Sequence, residues 1–186
     1  MLLTEQSLIY RGIRPLQKLG DIAKFNALLP LAGLAMPQRV PEHLRVVPPD
    51  PWAGDAPRGR DMMAGIFRFA GQTFEKEEVS WRPPAAKAEW LAELHGFEWL
   101  RDLRSVGGDR ARRMAREMVM YWLRHNDRPQ PGLPGWDAEV TGVRLAAWIS
   151  FHDFFCASAD DDFRRAWFAS LVKQARYLAR ILPGNL

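Results

Sequence analysis

A single cysteine, Cys156, stands in 186 residues, so the chain holds neither an internal disulfide nor a cysteine-rich zinc site. It lies in the apolar run "AAWISFHDFFCA" (146–157), where a small buried hydrophobe is the expected role rather than a nucleophile. Long apolar runs are missing as well. No stretch approaches the roughly 18 apolar residues of a membrane span. Polar residues interrupt the opening "MLLTEQSLIYRGIRPLQ" before a secretory h-region forms. These absences predict a soluble, cytoplasmic protein with no integral membrane segment, or a periplasmic one if a leader precedes the chain. The chain also lacks a glycine-rich phosphate loop, an H-E-x-x-H pair and a G-x-S-x-G elbow. No cofactor and no metal are expected from it.

What is abundant is apolar and aromatic. Hydrophobic residues make up 47% of the chain, with eight Trp and ten Phe, enough for the core of one domain. The formal net charge of +4 favours anionic partners over cationic ones: acidic glycans, nucleic acid or a membrane surface. Ten of the fourteen prolines fall in residues 1–85, which divides the chain into an arm (1–85) and a helical region (86–186). Within the arm, "LIYRGIRPLQKLGDIAKFNALL" (8–29) has loose helical spacing and reads as a docking helix or an interfacial membrane helix. "MPQRVPEHLRVVPPDPW" (36–52) reads as an extended, Pro-dominated linker. "AGIFRFAGQTFE" alternates apolar and polar residues and predicts a short strand or hairpin.

Four helices are predicted from residue 86 onward. The first (86–106) ends at Gly107-Gly108, after which Asp109 caps the second, running to Asn126. The third covers 137–156, and Ser158 with Asp161 forms a capping-box-like start for the fourth, closed by "LPG" at 182–184. The second helix sets Met114, Met118, Tyr121 and Trp122 against Arg112, Arg113, Arg116 and Arg124. The fourth sets Phe163, Trp167, Leu171 and Leu178 against Arg165, Lys173, Arg176 and Arg180, so both bury one face only. The first and third are apolar over most of their circumference and predict enclosed helices. Enclosed and surface helices thus alternate, as in stacked antiparallel hairpins: solenoids, α/α barrels or toroids. The arginines of "DRARRMAREM" lie on the solvent side of an amphipathic helix, and no nucleic-acid contact is expected from them.

The sharpest constellation is on the third helix, where Arg144, Trp148 and His152 recur every four residues. One reading makes this face the wall of a cleft. Arg144 would then meet a carboxylate or sulfate, Trp148 a sugar ring and His152 a hydroxyl. The other pairs Arg144 with a core acid such as Glu98 or Asp102 and leaves Trp148 to pack, because an unpaired buried charge is costly. On the first helix His95 shares a side with Trp99 and Asp102. It is either a hydrogen-bonded core histidine or a residue at the cleft edge, facing His152 if the two helices are neighbours.

The order of short motifs carries a further signal. "PPDPWAGDAPRGRDMMAGIFRFAGQTF", Trp81, "EWLAELHGFEWLRDL", the "GGD" joint, "YWLRHN", "PGW", "VTGVRLAAWISF" and "QARYLARIL" follow one another. This series, with the opening "YRGIRPLQKLGDI", resembles the N-terminal helical region of the heparinase II/III family of polysaccharide lyases, in its alphaproteobacterial form. The resemblance implies an all-α fold with part of an α/α toroid, incomplete within this chain, and a β-sandwich domain elsewhere in the full-length protein. It implies β-elimination on a uronic-acid-containing acidic polysaccharide. Arg144 and Trp148 match the family's "R-L-x-x-W" segment, Trp136 matches the Trp before it, and His95 falls at a polar position of the first inner helix. With Trp99 and His152, these make the expected substrate-binding set. The family's principal catalytic Asn, Tyr and His lie further along, so no catalytic residue is assigned. Asn185 lacks the following His, since position 186 is Leu. The chain is thus expected to supply part of a cleft and to be inactive alone. The alternative expectation is a non-catalytic helical module binding an acidic glycan or a protein partner through the face of the third helix.

Overall fold

The computed structural model describes residues 40–75, 81–130 and 133–182. The proposed docking helix (8–29) lies outside them, as do residues 36–39 of the linker and the "PG" at 183–184. Helices dominate, with one small antiparallel sheet. In chain order the elements are α1 (Ala56–Met63), β1 (Ile66–Phe69), β2 (Gln72–Glu75), α2 (Ala88–Gly96), α3 (Leu100–Val106) and α4 (Gly108–His125). A 3-10 turn (Pro134–Trp136), α5 (Ala138–Ser150), α6 (His152–Phe155) and α7 (Asp161–Ile181) follow. Residues from Val40 onward form one compact unit, so α1 and the hairpin share a core with the later helices.

The hairpin forms where the alternation predicted it. Ala70 and Gly71 both have positive φ, 46° and 73°, which supplies the tight turn between twisted strands. The register pairs Phe67 with Phe74 and Phe69 with Gln72, and Phe67 and Phe69 go into the core. Gln72 then ties the hairpin to α2, its Oε1 accepting the Lys87 N–H at 2.8 Å.

Two of the expected helices are interrupted. The first breaks at Phe97, which adopts a left-handed conformation (φ 63°) after α2. A residue with a Cβ gains nothing there locally. Its ring, however, packs against Trp81 at 5.3 Å, Trp99 at 4.9 Å and Trp148 at 5.3 Å, which holds the bend. His95 and Trp99 therefore belong to different elements and do not share a helix face. The third helix stops at Ser150, and Phe151 separates it from the short α6. His152 starts α6, so the four-residue stack of Arg144, Trp148 and His152 is not one continuous face.

Other boundaries shift by a residue or two. Gly107 (φ 71°) closes α3, its N–H bonding Leu103 O. Asp109 lies inside the first turn of α4 and pairs with Arg112 at 2.7 Å instead of capping. At α7 the cap is Asp160, whose carboxylate accepts the Phe163 N–H at 2.8 Å; Ser158 instead receives a bond from Arg116.

The Pro-rich segment is clipped to α3 by charge. Asp50 accepts from Arg101 Nε at 2.7 Å and from its Nη2 at 3.2 Å, with Arg104 at 3.4 Å. These guanidinium contacts hold the Asp50 carboxyl below its ordinary range. Asp102 is buried and bonds the Asp55 N–H at 2.8 Å and Arg58 Nε at 2.6 Å, fixing the start of α1. Gly54 and Gly59 let the two backbones meet. A Cβ on Gly59 would sit 2.6 Å from Asp102 O, and one on Gly54 would collide with Arg101 O. The motif "PPDPWAGDAPRG" is thereby explained as a docking seam between α1 and α3.

Candidate functional site

At the centre of the molecule α2, α5, α7 and the 3-10 turn converge on Arg144. The α5 sequence is apolar nearly all round, so its one basic residue points into the interior and is 0% exposed. An isolated guanidinium there would be prohibitive. Four hydrogen bonds compensate: Nη1 donates to Gly135 O at 2.6 Å and His95 O at 3.0 Å. Nε donates to Gln174 Oε1 at 2.6 Å, and Nη2 reaches Thr141 Oγ1 at 3.3 Å. The cation also lies 4.3 Å from the centre of the Trp122 ring.

Among the described residues no carboxylate pairs with it. The proposed partner Asp102 is engaged with Arg58, and Glu98 is exposed beside Arg101 at 4.0 Å. Burial pulls the Arg144 pKa down to about 9, opposed in part by the Asp127 carboxylate, so the group stays protonated at neutral pH. The link to Asp127 runs through side chains. Gln174 Nε2 donates to Ser170 Oγ at 3.0 Å, Ser170 donates to Asp127 Oδ1 at 2.7 Å, and Lys173 pairs with Asp127 at 2.6 Å.

His95 forms the second half of this knot and is 1% exposed. The Trp122 indole, which can only donate, gives its N–H to His95 Nδ1 at 3.0 Å. The ring proton must then sit on Nε2, which donates to Trp81 O at 3.1 Å. Desolvation lowers the imidazole pKa to about 4, reinforced by the nearby Arg144 charge. Gly135 lies directly on this ring: a Cβ there would come within 2.8 Å of Nδ1.

The six expected substrate-binding residues are distributed as follows. His95, Arg144, Trp136 and Trp148 gather around Trp122 in the interior. Trp136 donates to Asn126 O at 2.8 Å, and Trp99 donates to Leu94 O at 2.9 Å beneath Phe97. All five are buried. His152 alone is partly open; it packs on Trp167 at 5.4 Å and bonds the Asp153 carboxylate at 3.0 Å. His95 and His152 have different neighbours and do not form a facing pair. Both His95 nitrogens and four of the five Arg144 N–H donors are already engaged within the fold. Cys156 is buried too, and its thiol is pushed up to about 12 by desolvation.

An accessible recess lies elsewhere. A groove of about 470 Å³ runs between the α1–β1 corner and α4. Met62, Met63, Gly65 and Phe67 line one side, Trp81 an end, and Arg110, Arg113, Met114, Glu117, Met118 and Tyr121 the other. The helical period did place these α4 residues, but it read Met114 and Tyr121 as core; Met114 is half-buried and Tyr121 is 40% exposed. The α4 arginines also divide by task. Arg112 Nε donates to Phe154 O at 3.1 Å and Arg116 Nε to Phe155 O at 2.6 Å, pinning α6, while Arg110 and Arg113 border the groove.

Among the described residues no group of three or more His, Cys, Asp or Glu is placed to hold a metal ion, and no helix is long and apolar enough to cross a membrane. No protein-family model matches the chain, and neither a curated protein nor a solved structure matches it.

Proposed function

We propose that the chain is the N-terminal helical portion of a heparinase II/III-like polysaccharide lyase, building one arc of an incomplete α/α toroid. The ordered motif series carries this reading. Its supporting argument is that those motifs act as fold determinants: "PPDPWAGDAPRG" joins α1 to α3, and His95, Trp136 and Arg144 tie α2 and the 3-10 turn to α5. In this reading the knot stiffens the inner helices from behind while residues elsewhere in the full-length protein act on the substrate. β-Elimination needs donors that neutralise the uronate carboxylate, a base for the C5 proton and an acid for the leaving oxygen. None of these roles is assigned to a residue of this chain.

The test uses the complete reading frame that contains this chain. Incubated with a panel of uronate polymers, the full-length protein should raise far-ultraviolet absorbance as unsaturated uronate forms, and residues 1–186 alone should not. A flat trace across the panel for the full-length protein would sink the lyase reading.

A second reading is favoured by the groove beside α4. It makes the chain a non-catalytic helical module that binds an acidic partner, glycan or protein, at a surface bordered by Arg110 and Arg113.

A further inference from the structure

The groove has a chemistry of its own that separates the two kinds of acidic partner. On α4 the lining residues recur at spacings of three and four from Arg110 to Tyr121, which is one continuous stripe of a helix surface. Two half-buried thioethers face it, Met63 from the end of α1 and Met114 from α4, above the buried Met62 and Met118. Methionine is flexible and polarisable, and such surfaces adapt to irregular apolar side chains. At one end stand Arg110 and Arg113, both exposed and, among the described residues, without an ion-pair partner. Glu117 follows one turn further on, so the positive charge is concentrated at the Arg110 end.

A sugar ring would need a free flat aromatic face, and the two aromatics here are already engaged. Tyr121 is stacked on His125 at 4.1 Å and lies nearly parallel to Trp81 at 6.5 Å. Trp81 stacks on Phe97 at 5.3 Å and is almost wholly buried. What remains open is a trough of mixed lining, with Met63 and Met114 along it, Glu117 beside them and a cationic end at Arg110 and Arg113. That combination matches a peptide with one apolar face and carboxylates at one end, docked in the helix-in-groove manner.

We infer that the groove between the α1–β1 corner and α4 docks an acidic, amphipathic peptide segment of a partner protein. Its apolar side chains fill the methionine trough, and its carboxylates meet Arg110 and Arg113. The inference rests on the binding-module reading and is independent of the lyase reading.

Fluorescence anisotropy on the full chain tests it with two labelled helical peptides, alike in their leucine face. One carries glutamates at one end, the other lysines. The glutamate peptide should bind at least about tenfold more tightly than the lysine peptide. The Arg110→Glu/Arg113→Glu double variant should reverse that preference. Both positions are exposed, so the variant should keep the circular dichroism and melting of the parent. Met114→Lys should weaken both peptides. Equal binding of the two peptides, or a preference that survives charge reversal, overturns the inference. So does a cross-link within one molecule from a photoreactive residue at position 114, since the chain would then cover its own groove. An oligogalacturonate that binds with Arg110/Arg113 dependence while the peptide does not would overturn the peptide and keep the acidic-partner module. Binding of neither would remove both.

Discussion

The Trp122 indole N–H donates to His95 Nδ1 at 3.0 Å, and this bond sets the protonation of the molecular centre. A second proton on His95 would have to displace the indole, in a site closed to water and beside the Arg144 cation. The histidine is therefore built in as a neutral donor–acceptor bridge between Trp122 and the Trp81 carbonyl.

A pH dependence follows from that bridge. The folded-state pKa of His95 is about 4 against an ordinary 6.5, so between these values the unfolded chain binds a proton that the folded chain refuses. Stability from this group is complete above about pH 6.5 and declines as the pH falls, by about 3 kcal/mol over the whole window. Urea unfolding between about pH 7.5 and pH 5, above the range of ordinary carboxylates, should show the decline beginning. His95→Gln keeps a donor for Trp81 and lacks the titration; it should be less stable at neutral pH and flatter across the same interval. A parent protein with no slope there would mean that His95 is not sealed as described.

Arg144 should behave as a structural cation. Arg144→Ala leaves the His95 and Gly135 carbonyls and Gln174 Oε1 without their donor and opens a cavity, a loss of about 3–5 kcal/mol. Arg144→Lys restores the charge but not the planar fork that reaches acceptors on several sides. It should remain about 2 kcal/mol below the parent. Denaturant midpoints decide the matter: a change of less than about 1 kcal/mol for the alanine variant would show that the knot contributes little.

Two glycines in helices should respond to alanine with opposite signs. At Gly59 the new Cβ would lie 2.6 Å from Asp102 O and 2.7 Å from Val106 Cγ2, forcing α1 away from α3 at a cost of about 1–3 kcal/mol. At Gly142 the nearest atom is Leu178 Cδ2 at 3.8 Å, an ordinary contact, so the helix-propensity gain of about 0.5–1 kcal/mol should be realised. Thermal melts of the two variants should move in opposite directions. Parallel shifts would contradict the seam between α1 and α3.

Local features were legible in the chain itself. The hairpin within 64–75, the halt at Gly107 and the one-sided burial of α7 are short-range properties, set by strand alternation, by the φ freedom of glycine and by the helical period. The period also marked α2 and α5 as enclosed, but each keeps an open side: Ala88, Glu89 and Glu93 of α2 and Glu139 and Ala146 of α5 are exposed. It misled at Phe97, although Gly96 stands directly before it, and at Phe151, where no glycine or proline adjoins the break. A cluster of large rings holds the chain in a conformation that its neighbours in sequence do not favour.

The tertiary structure decided what the buried polar groups do. Periodicity tells that Arg144 points inward, but its partners are backbone carbonyls and a glutamine up to 49 residues away, and a carbonyl carries no side-chain signature. Opposite charge was the natural expectation for a buried guanidinium, yet several neutral dipoles and an indole face satisfy it without burying an anion as well. The open groove was hidden for the related reason that a helical face reads as apolar whether or not another element covers it. Sequence determined which side of α4 is apolar; only the packing of α1 and β1 decided that Met114 and Tyr121 would border open space.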